Sequence, residues 1–201
     1  MGLNLKLTII KGHCNVNPIE FAKRVKLGVA EKMDSCVLDH IIFPDENVLG
    51  YGEVGGFTVL SNTELPMHLI DGELTKINYN TEFLYKEAFP GMPYISVYLQ
   101  STINGYGFTY FDGKESVRSK IGYSENAPLL EDGDPLPEEL AAGPHALNSI
   151  GERYYVIDGD HVLEHELGET WVVQLIERFT GMSFSDLMMT EIDEYRLTLH
   201  L

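Results

Sequence analysis

The sequence predicts an α+β fold, in which two to four helices pack on a mixed, largely antiparallel sheet. The main observation is a three-stranded meander over about 94–122, where apolar and polar residues alternate and two tight turns intervene. A second is an apolar stripe at helical spacing that begins at Trp171. The 201 residues are 44% hydrophobic, which is enough to bury a core, so we expect a single domain over 1–201.

The amino-terminal elements follow from periodicity and capping residues. Alternating apolar residues predict a strand over 4–11. Asn17 and Pro18 are favoured at the N-cap and the first position of a helix, and they predict an amphipathic helix to about residue 32. The apolar run 36–43 predicts a strand after it.

Residues 44–56 are predicted to form a loop, because they contain four glycines. Their spacing, Gly-x-Gly-x-x-Gly-Gly, is superficially like a dinucleotide-binding fingerprint, but that fingerprint requires a helix to open at its last glycine. Residues 57–60 have a strand pattern instead. We therefore expect a loop or bulge here and no nucleotide site.

The meander is the most clearly patterned part of the chain. A short helix over 80–89 precedes it and ends before two prolines. Asn104-Gly105 predicts a type I′ turn between the first two strands, because both residues tolerate a positive φ. Asp112-Gly113 predicts the turn into the third strand.

The carboxyl-terminal part alternates short strands with helices. Gly168 and Glu169 are predicted to begin the helix that carries the Trp171 stripe, and Gly181 is a suitable stop for it. Three further elements are predicted: a brief strand at 154–157, a shorter helix near 183–190 and a final strand over 195–201.

Residues 124–151 are predicted to be a long, acidic surface connection that contains four prolines. Its carboxylates lack the spacing and the closing glutamate of an EF-hand calcium loop, so we interpret them as a solvated loop. The candidate binding residues in it are Glu131, Asp132, Asp134, Glu138 and Glu139.

The net charge of −17 is concentrated in one part of the chain. Residues 1–120 hold 11 basic and 14 acidic side chains, whereas residues 121–201 hold 3 basic and 17 acidic side chains. Such a field repels nucleic acid and anionic lipid and attracts a basic protein. The alternative is a surface whose charge serves solubility alone.

Residues 161–165 match H-x-x-E-H, the inverted zinc-peptidase motif. On a helix, His161 and His165 would share one side and bind zinc, with Glu164 as the base for a metal-bound water. A turn pattern before His161 and the predicted helix start at Gly168 argue against a helix here. The other interpretation is an extended, solvated segment.

Other chemistry has little support in the sequence. There is no nucleophile elbow and no phosphate-binding loop, and Cys14 and Cys36 lack metal or redox spacing, so we expect free thiols. No apolar run approaches the roughly 20 residues that cross a bilayer, and the amino terminus lacks a signal-peptide pattern. We expect a cytoplasmic protein without a cofactor.

Several short motifs occur in a fixed order: FTVL at 57–60, SVYLQS at 96–101, GYGF at 105–108, DG at 112–113, GDPLP at 133–137 and LGE at 167–169. In this order they resemble an uncharacterised bacterial domain family of unknown function, over about residues 55–200. The resemblance implies that residues 161–167 lead into a helix, which weakens the zinc interpretation. It assigns no functional residue.

Three functions remain as hypotheses from the sequence. The first is a non-enzymatic binding protein, for example immunity- or inhibitor-like, that presents its acidic carboxyl-terminal half to a basic partner. The second is a zinc-dependent hydrolase centred on residues 161–165. The third is a small-ligand binder that uses the glycine-rich segment 50–56.

Overall fold

The computed structural model describes residues 4–13, 17–24, 29–41, 48–61, 79–123 and 130–198. Over these residues it confirms the α+β fold. The strands are β1 (Asn4–Lys11), β2 (Val29–Val37), β3 (Val48–Val54), β4 (Phe57–Ser61), β5 (Tyr94–Gln100), β6 (Gly105–Phe111), β7 (Ser116–Gly122), β8 (Leu130–Gly133), β9 (Ala146–Leu147), β10 (Arg153–Ile157), β11 (Asp160–Leu163) and β12 (Glu191–Thr198). The helices are α1 (Pro18–Arg24), α2 (Leu38–Ile41), α3 (Tyr79–Ala88), α4 (Pro137–Ala141), α5 (Glu164–Thr180) and α6 (Phe184–Met188).

The strands form two sheets. Within the described residues, nine strands make the main sheet, in the order β2-β12-β3-β4-β1-β5-β6-β7-β8. Each neighbouring pair in it is antiparallel. The strands β11-β10-β9, which we call the small sheet, pair in that order and are also antiparallel.

The predicted meander is confirmed as β5, β6 and β7. Val97 pairs with Phe108, and Phe108 pairs with Lys120, which fixes the register across the three strands. The first turn is longer than the predicted two residues, because Ser101–Ile103 form a 3-10 turn before Asn104. Asn104 has a φ of 46°, in the left-handed region, but Gly105 has no positive φ and is already the first residue of β6, so the predicted type I′ turn is wrong.

Helices cover both faces of the main sheet. On one face, the predicted stripe of α5 that begins at Trp171 belongs to the same buried apolar cluster as Leu7 and Val97. On the other, Phe21 of α1 and Tyr85 of α3 pack in a second apolar cluster. The sheet is therefore the central layer, with α5 and the small sheet on the same side of it.

The predicted helix to residue 32 is wrong beyond its first turns. α1 ends at Arg24, and β2 occupies Val29–Val37. β2 pairs with β12 along its length, so backbone pairing with a distant strand outweighs the local helical pattern. The predicted strand 36–43 is likewise replaced by α2 after Val37, and its last two residues lie outside the described part of the chain.

The glycine-rich segment is a hairpin instead of a loop. β3 extends to Val54, and Gly55 and Gly56 form the turn into β4 with φ values of 55° and 89°. Gly52 lies inside β3, where a Cβ would be 2.3 Å from Cγ2 of Ile192. Glycine is needed there because the neighbouring strand approaches too closely for a side chain.

Two boundaries near the carboxyl terminus also differ from the predictions. α5 begins at Glu164 instead of Gly168, because the Glu166 carboxylate accepts the N–H of Leu163 at 2.7 Å and caps the helix there. β12 begins at Glu191 instead of residue 195. The predictions for residues 124–129 and 199–201 lie outside the described residues.

The helices of the described residues are short or polar in comparison with a membrane span. Among the described residues, none is both long and apolar enough to cross a bilayer.

Candidate functional site

A group of charged side chains, four of them buried and two partly exposed, lies where β7, β8, α4, β10 and the start of α5 meet. We call it the ionic cluster, and its members are Arg118, Lys120, Glu131, Glu139, Arg153 and Glu164. Three positive and three negative charges make the cluster neutral. Sequence patterns missed it, because its members come from five separate elements.

Arg118 of β7 has five N–H donors, and each of them points at an oxygen of the protein. Its Nε lies 3.0 Å from Oε2 of Glu139, and its Nη2 lies 2.6 Å from Oε1 of the same carboxylate. The Nη2 also donates to Glu131 at 2.7 Å. The Nη1 donates to the carbonyls of Gly133 at 2.8 Å and Asp132 at 3.4 Å. This saturated, partly bidentate arrangement compensates for burying the guanidinium.

Lys120 lies two residues further along β7, on the same face, and its side chain is 2% exposed. Its Nζ is 3.1 Å from Glu139, 3.4 Å from Glu164 and 3.6 Å from Glu131. The same nitrogen is 4.7 Å from the centre of the Trp171 ring. Three carboxylates and an aromatic face therefore surround one ammonium group.

Glu164 is the first residue of α5 and the central acid of the H-x-x-E-H motif. It accepts hydrogen bonds from the hydroxyls of Tyr106 at 2.7 Å and Tyr155 at 3.2 Å. Burial and the Glu164 charge together raise the pKa of Tyr106 well above its usual value, which keeps this hydroxyl a donor. The Nη1 of Arg153 lies 3.5 Å from Oε2 of Glu164, the oxygen that accepts from Tyr155.

Glu131 and Glu139, the two acids of the ionic cluster that come before α5 in the chain, remain ionised. Partial burial favours the neutral acid, but hydrogen bonds from Arg118 and Arg153 outweigh it and lower the pKa of Glu131 to about 2. For Glu139, burial is likewise outweighed by Arg118 and by the N–H of Leu136, and its pKa is lowered. The polar groups satisfy one another, so the cluster is suited to holding elements together.

The candidate binding acids divide into two groups. Glu131 and Glu139 belong to the ionic cluster, and Glu138 pairs with Arg178 of α5. Asp132 and Asp134 are exposed. The solvated-loop interpretation is wrong for Glu138 and Glu139, which are 7% and 5% exposed, because β8 and α4 fold this segment onto β7 and α5.

The structure does not bring the zinc motif onto one helix. His161 lies in β11, exposed, with its ring 4.5 Å from that of Tyr154. Glu164 points into the ionic cluster, and His165 lies in the first turn of α5. Among the residues that the structure describes, no three His, Cys, Asp or Glu side chains are grouped to hold a metal ion.

The segment proposed for a small ligand borders a cleft of about 310 Å³ between β2, β3 and β12. Two of its acids already have partners. Asp193 pairs with Lys32 at 2.6 Å and accepts from Ser35, and Glu53 lies 3.0 Å from His13. The hypothesis of a ligand site at 50–56 stays a prediction.

The small sheet presents exposed apolar side chains beside exposed acids. Leu147 of β9 is 63% exposed and Val156 of β10 is 58% exposed, and Ile150, in the connection between these strands, is 78% exposed. Val156 pairs across the strands with His161, and the turn that joins β10 to β11 carries Asp158, which is also exposed. Leu147 pairs with Arg153 and Val156 with His161, so these two side chains lie on opposite faces of the small sheet, and single exposed apolar side chains of this kind are normal on a protein surface.

Comparisons with known proteins do not assign the chain to a family. No family model, no curated protein and no solved structure matches it. The resemblance to an uncharacterised bacterial family therefore stays a prediction.

Proposed function

We propose that this chain is a non-enzymatic binding protein that presents the acidic surface of its carboxyl-terminal half to a basic protein. An immunity-type inhibitor of a basic toxin is one concrete form. The observation that carries the proposal is that most basic side chains of this half are already paired within the protein. Arg153 and Arg178, two of the three basic residues after position 120, are bound to buried carboxylates.

Internal pairing leaves the exposed carboxylates with little opposite charge nearby. Two cations from the other half, Arg118 and Lys120, are also held in the ionic cluster. The exposed acids in the described part of this half include Asp132, Asp134, Asp158, Asp160, Glu166, Glu169, Asp186 and Glu191. A basic partner would be steered towards such a surface, and its association would slow as salt increases.

The zinc-hydrolase alternative has less support. Glu164, the required base, is bonded to two tyrosines and faces Lys120, and the two histidines lie on different elements. Elemental analysis of the purified protein distinguishes a zinc-dependent hydrolase from a binding protein without zinc. Stoichiometric zinc that is lost in the His161→Ala, His165→Ala variant would favour the hydrolase.

The binding proposal is tested by capture of partners at low salt and at about 0.15 M salt. One variant replaces Asp132, Asp134, Asp158 and Asp160 by Asn. A matched control removes four exposed acids of the other half, with Glu31→Gln, Asp39→Asn, Glu87→Gln and Glu115→Gln. We expect the wild type and the control to capture the same basic protein, and the first variant to lose most of it. No partner at either salt concentration, or a partner that is itself acidic, would contradict the proposal.

A further inference from the structure

We infer that residues 130–163 form a detachable flap, which opens from the rest of the chain on acidification while the main sheet stays folded. The flap comprises β8, α4 and the small sheet, and its Tyr155 ring lies against Trp171 of α5. Opening of the flap needs no partner, so it is independent of the proposed binding to a basic protein.

The pairing of the strands permits this movement. β8 is the outermost strand of the main sheet, and in the described part of the chain it pairs with β7 alone. Its departure would leave the order from β2 to β7 unbroken. β9, β10 and β11 pair with one another, so the small sheet can move as a unit. The strand pairing that has to break is therefore that between β7 and β8.

Few apolar side chains hold the flap in place. The residues buried in it are two apolar and two acidic ones: Leu136, Tyr155, Glu138 and Glu139. By contrast, the single helix α5 buries Trp171 together with three aliphatic side chains. Because segments with little buried apolar area open before the rest of a protein, the flap should be the first part to detach.

The attachment of the flap to β7 is ionic. Glu139 of α4 lies 2.6 Å from the Nη2 of Arg118 and 3.1 Å from the Nζ of Lys120. Glu131 of β8 lies 2.7 Å from the same Arg118 nitrogen. The two cations belong to β7 and the two carboxylates to the flap, so these ion pairs cross the boundary that opens.

The attachment to α5 is of the same kind. Glu138 of the flap pairs with Arg178 of α5. The Nη1 of Arg153 and the hydroxyl of Tyr155 lie 3.5 Å and 3.2 Å from Oε2 of Glu164, the first residue of α5. Each of these contacts includes a carboxylate, and a carboxylate loses its charge in acid.

Acid removes the attachment at Glu131 and Glu139. Burial alone would raise the pKa of both acids, but hydrogen bonds from Arg118 and the charge of Lys120 lower it. Arg153 adds a further hydrogen bond to Glu131, whose pKa falls to about 2. In the open flap both acids regain a pKa near 4.5, so the closed flap is fully favoured above that pH and loses its advantage as the pH falls towards 2. Protonation of either acid should shift the equilibrium towards the open flap about tenfold or more.

The other titratable groups near these acids do not oppose the opening. Burial raises the pKa of Tyr106 and Tyr155, so both hydroxyls stay neutral as the pH falls. Glu164 of α5 faces Lys120, and its protonation would weaken that contact as well. The ring of His145 in the flap lies 5.9 Å from that of Tyr155, and a positive charge on it adds to the cations already present.

The single tryptophan of the chain reports the opening. Trp171 is 2% exposed while Tyr155 lies against it, and it becomes accessible when the flap leaves. On acidification of the full chain, we expect quenching of its fluorescence by acrylamide to increase about one pH unit above the loss of strand signal in circular dichroism. Coincident midpoints would overturn the inference, as would a Trp171 that stays shielded until the strand signal is lost.

A variant tests the same charges at neutral pH. Glu138→Gln with Glu139→Gln removes both buried charges of α4, and the amides keep the shape of the acids. We expect the backbone amides between β7 and β8 to exchange with deuterium at least about tenfold faster in it, with the strand signal retained. The matched control, Asp132→Asn with Asp134→Asn, removes two exposed charges of the flap and should exchange like the wild type. Unchanged exchange in the first variant, or loss of its whole strand signal, would overturn the inference.

Discussion

The Nζ of Lys120 lies 3.4 Å from Oε1 of Glu164, with both side chains almost completely buried. This contact joins the meander to the first turn of α5, and it leads directly to the small sheet through Arg153 and Tyr155. Charges in the interior therefore hold β10 against α5, and their contributions are separable by single substitutions.

Replacing Glu164 by Gln should strongly destabilise the protein. Tyr106 and Tyr155 donate to different oxygens of Glu164, so the amide can keep only one of these hydrogen bonds, and the ionic cluster is left with an uncompensated positive charge. We expect a loss of about 3 kcal/mol in the free energy of unfolding, measured with denaturant. Glu169→Gln, at an exposed position of the same helix, should change it by less than about 0.5 kcal/mol. Equal effects of the two changes would contradict the assignment.

Lys120→Met and Glu164→Gln should not have additive effects. Each single change leaves a buried charge without its partner, whereas the double change restores neutrality. A double-mutant cycle should give a coupling free energy of about 1 kcal/mol or more. Additive single effects would show that the two side chains do not interact in solution.

Gly168→Ala should destabilise the protein, although alanine is the better helix former by about 1 kcal/mol. Gly168 is buried inside α5, and a Cβ there would lie 2.2 Å from the ring of Tyr106. Forcing the helix away from β6 should cost up to about 3 kcal/mol, which exceeds the helical gain of about 1 kcal/mol. Thr170→Ala, on an exposed turn of the same helix, is the control. A stabilised Gly168→Ala variant would show that the two elements are further apart.

Acid should weaken the fold through Glu131 and Glu139. Their pKa values in the folded protein lie below those of the unfolded chain, with Glu131 at about 2. Their stabilisation is therefore complete above the unfolded pKa near 4.5 and is lost as the pH falls towards 2. The free energy of unfolding, measured with denaturant at several pH values from about 6 to about 2, should show this loss. Glu131→Gln should make the dependence shallower; an unaltered slope would contradict the ion pairs.

Much of the fold was predictable, because local patterns dominate in the meander and in α5. The positive φ of Asn104 and the stripe that begins at Trp171 both occur where the sequence indicates them. The errors came from long-range contacts. β2 is a strand because β12 pairs with it, and Gly168 is a packing residue because Tyr106 lies beneath it.

The candidate site was harder to predict for the same reason. The alternation of Arg118 and Lys120 places both on one face of a predicted strand, and that pattern usually indicates a solvent face. Only the folded positions of Glu139 and Glu164, distant in sequence, show that the face is buried. The acidic character of the carboxyl-terminal half was visible, but which acids remain exposed was not.

The central claim is tested most directly by the association rate of the purified basic partner, once captured, with the wild type and with the Asp158→Lys, Asp160→Lys variant. At low salt we expect the variant to associate at least about tenfold more slowly, and the difference to shrink at about 0.15 M salt. Equal association rates for the two proteins at low salt would contradict the claim that this acidic surface receives the partner.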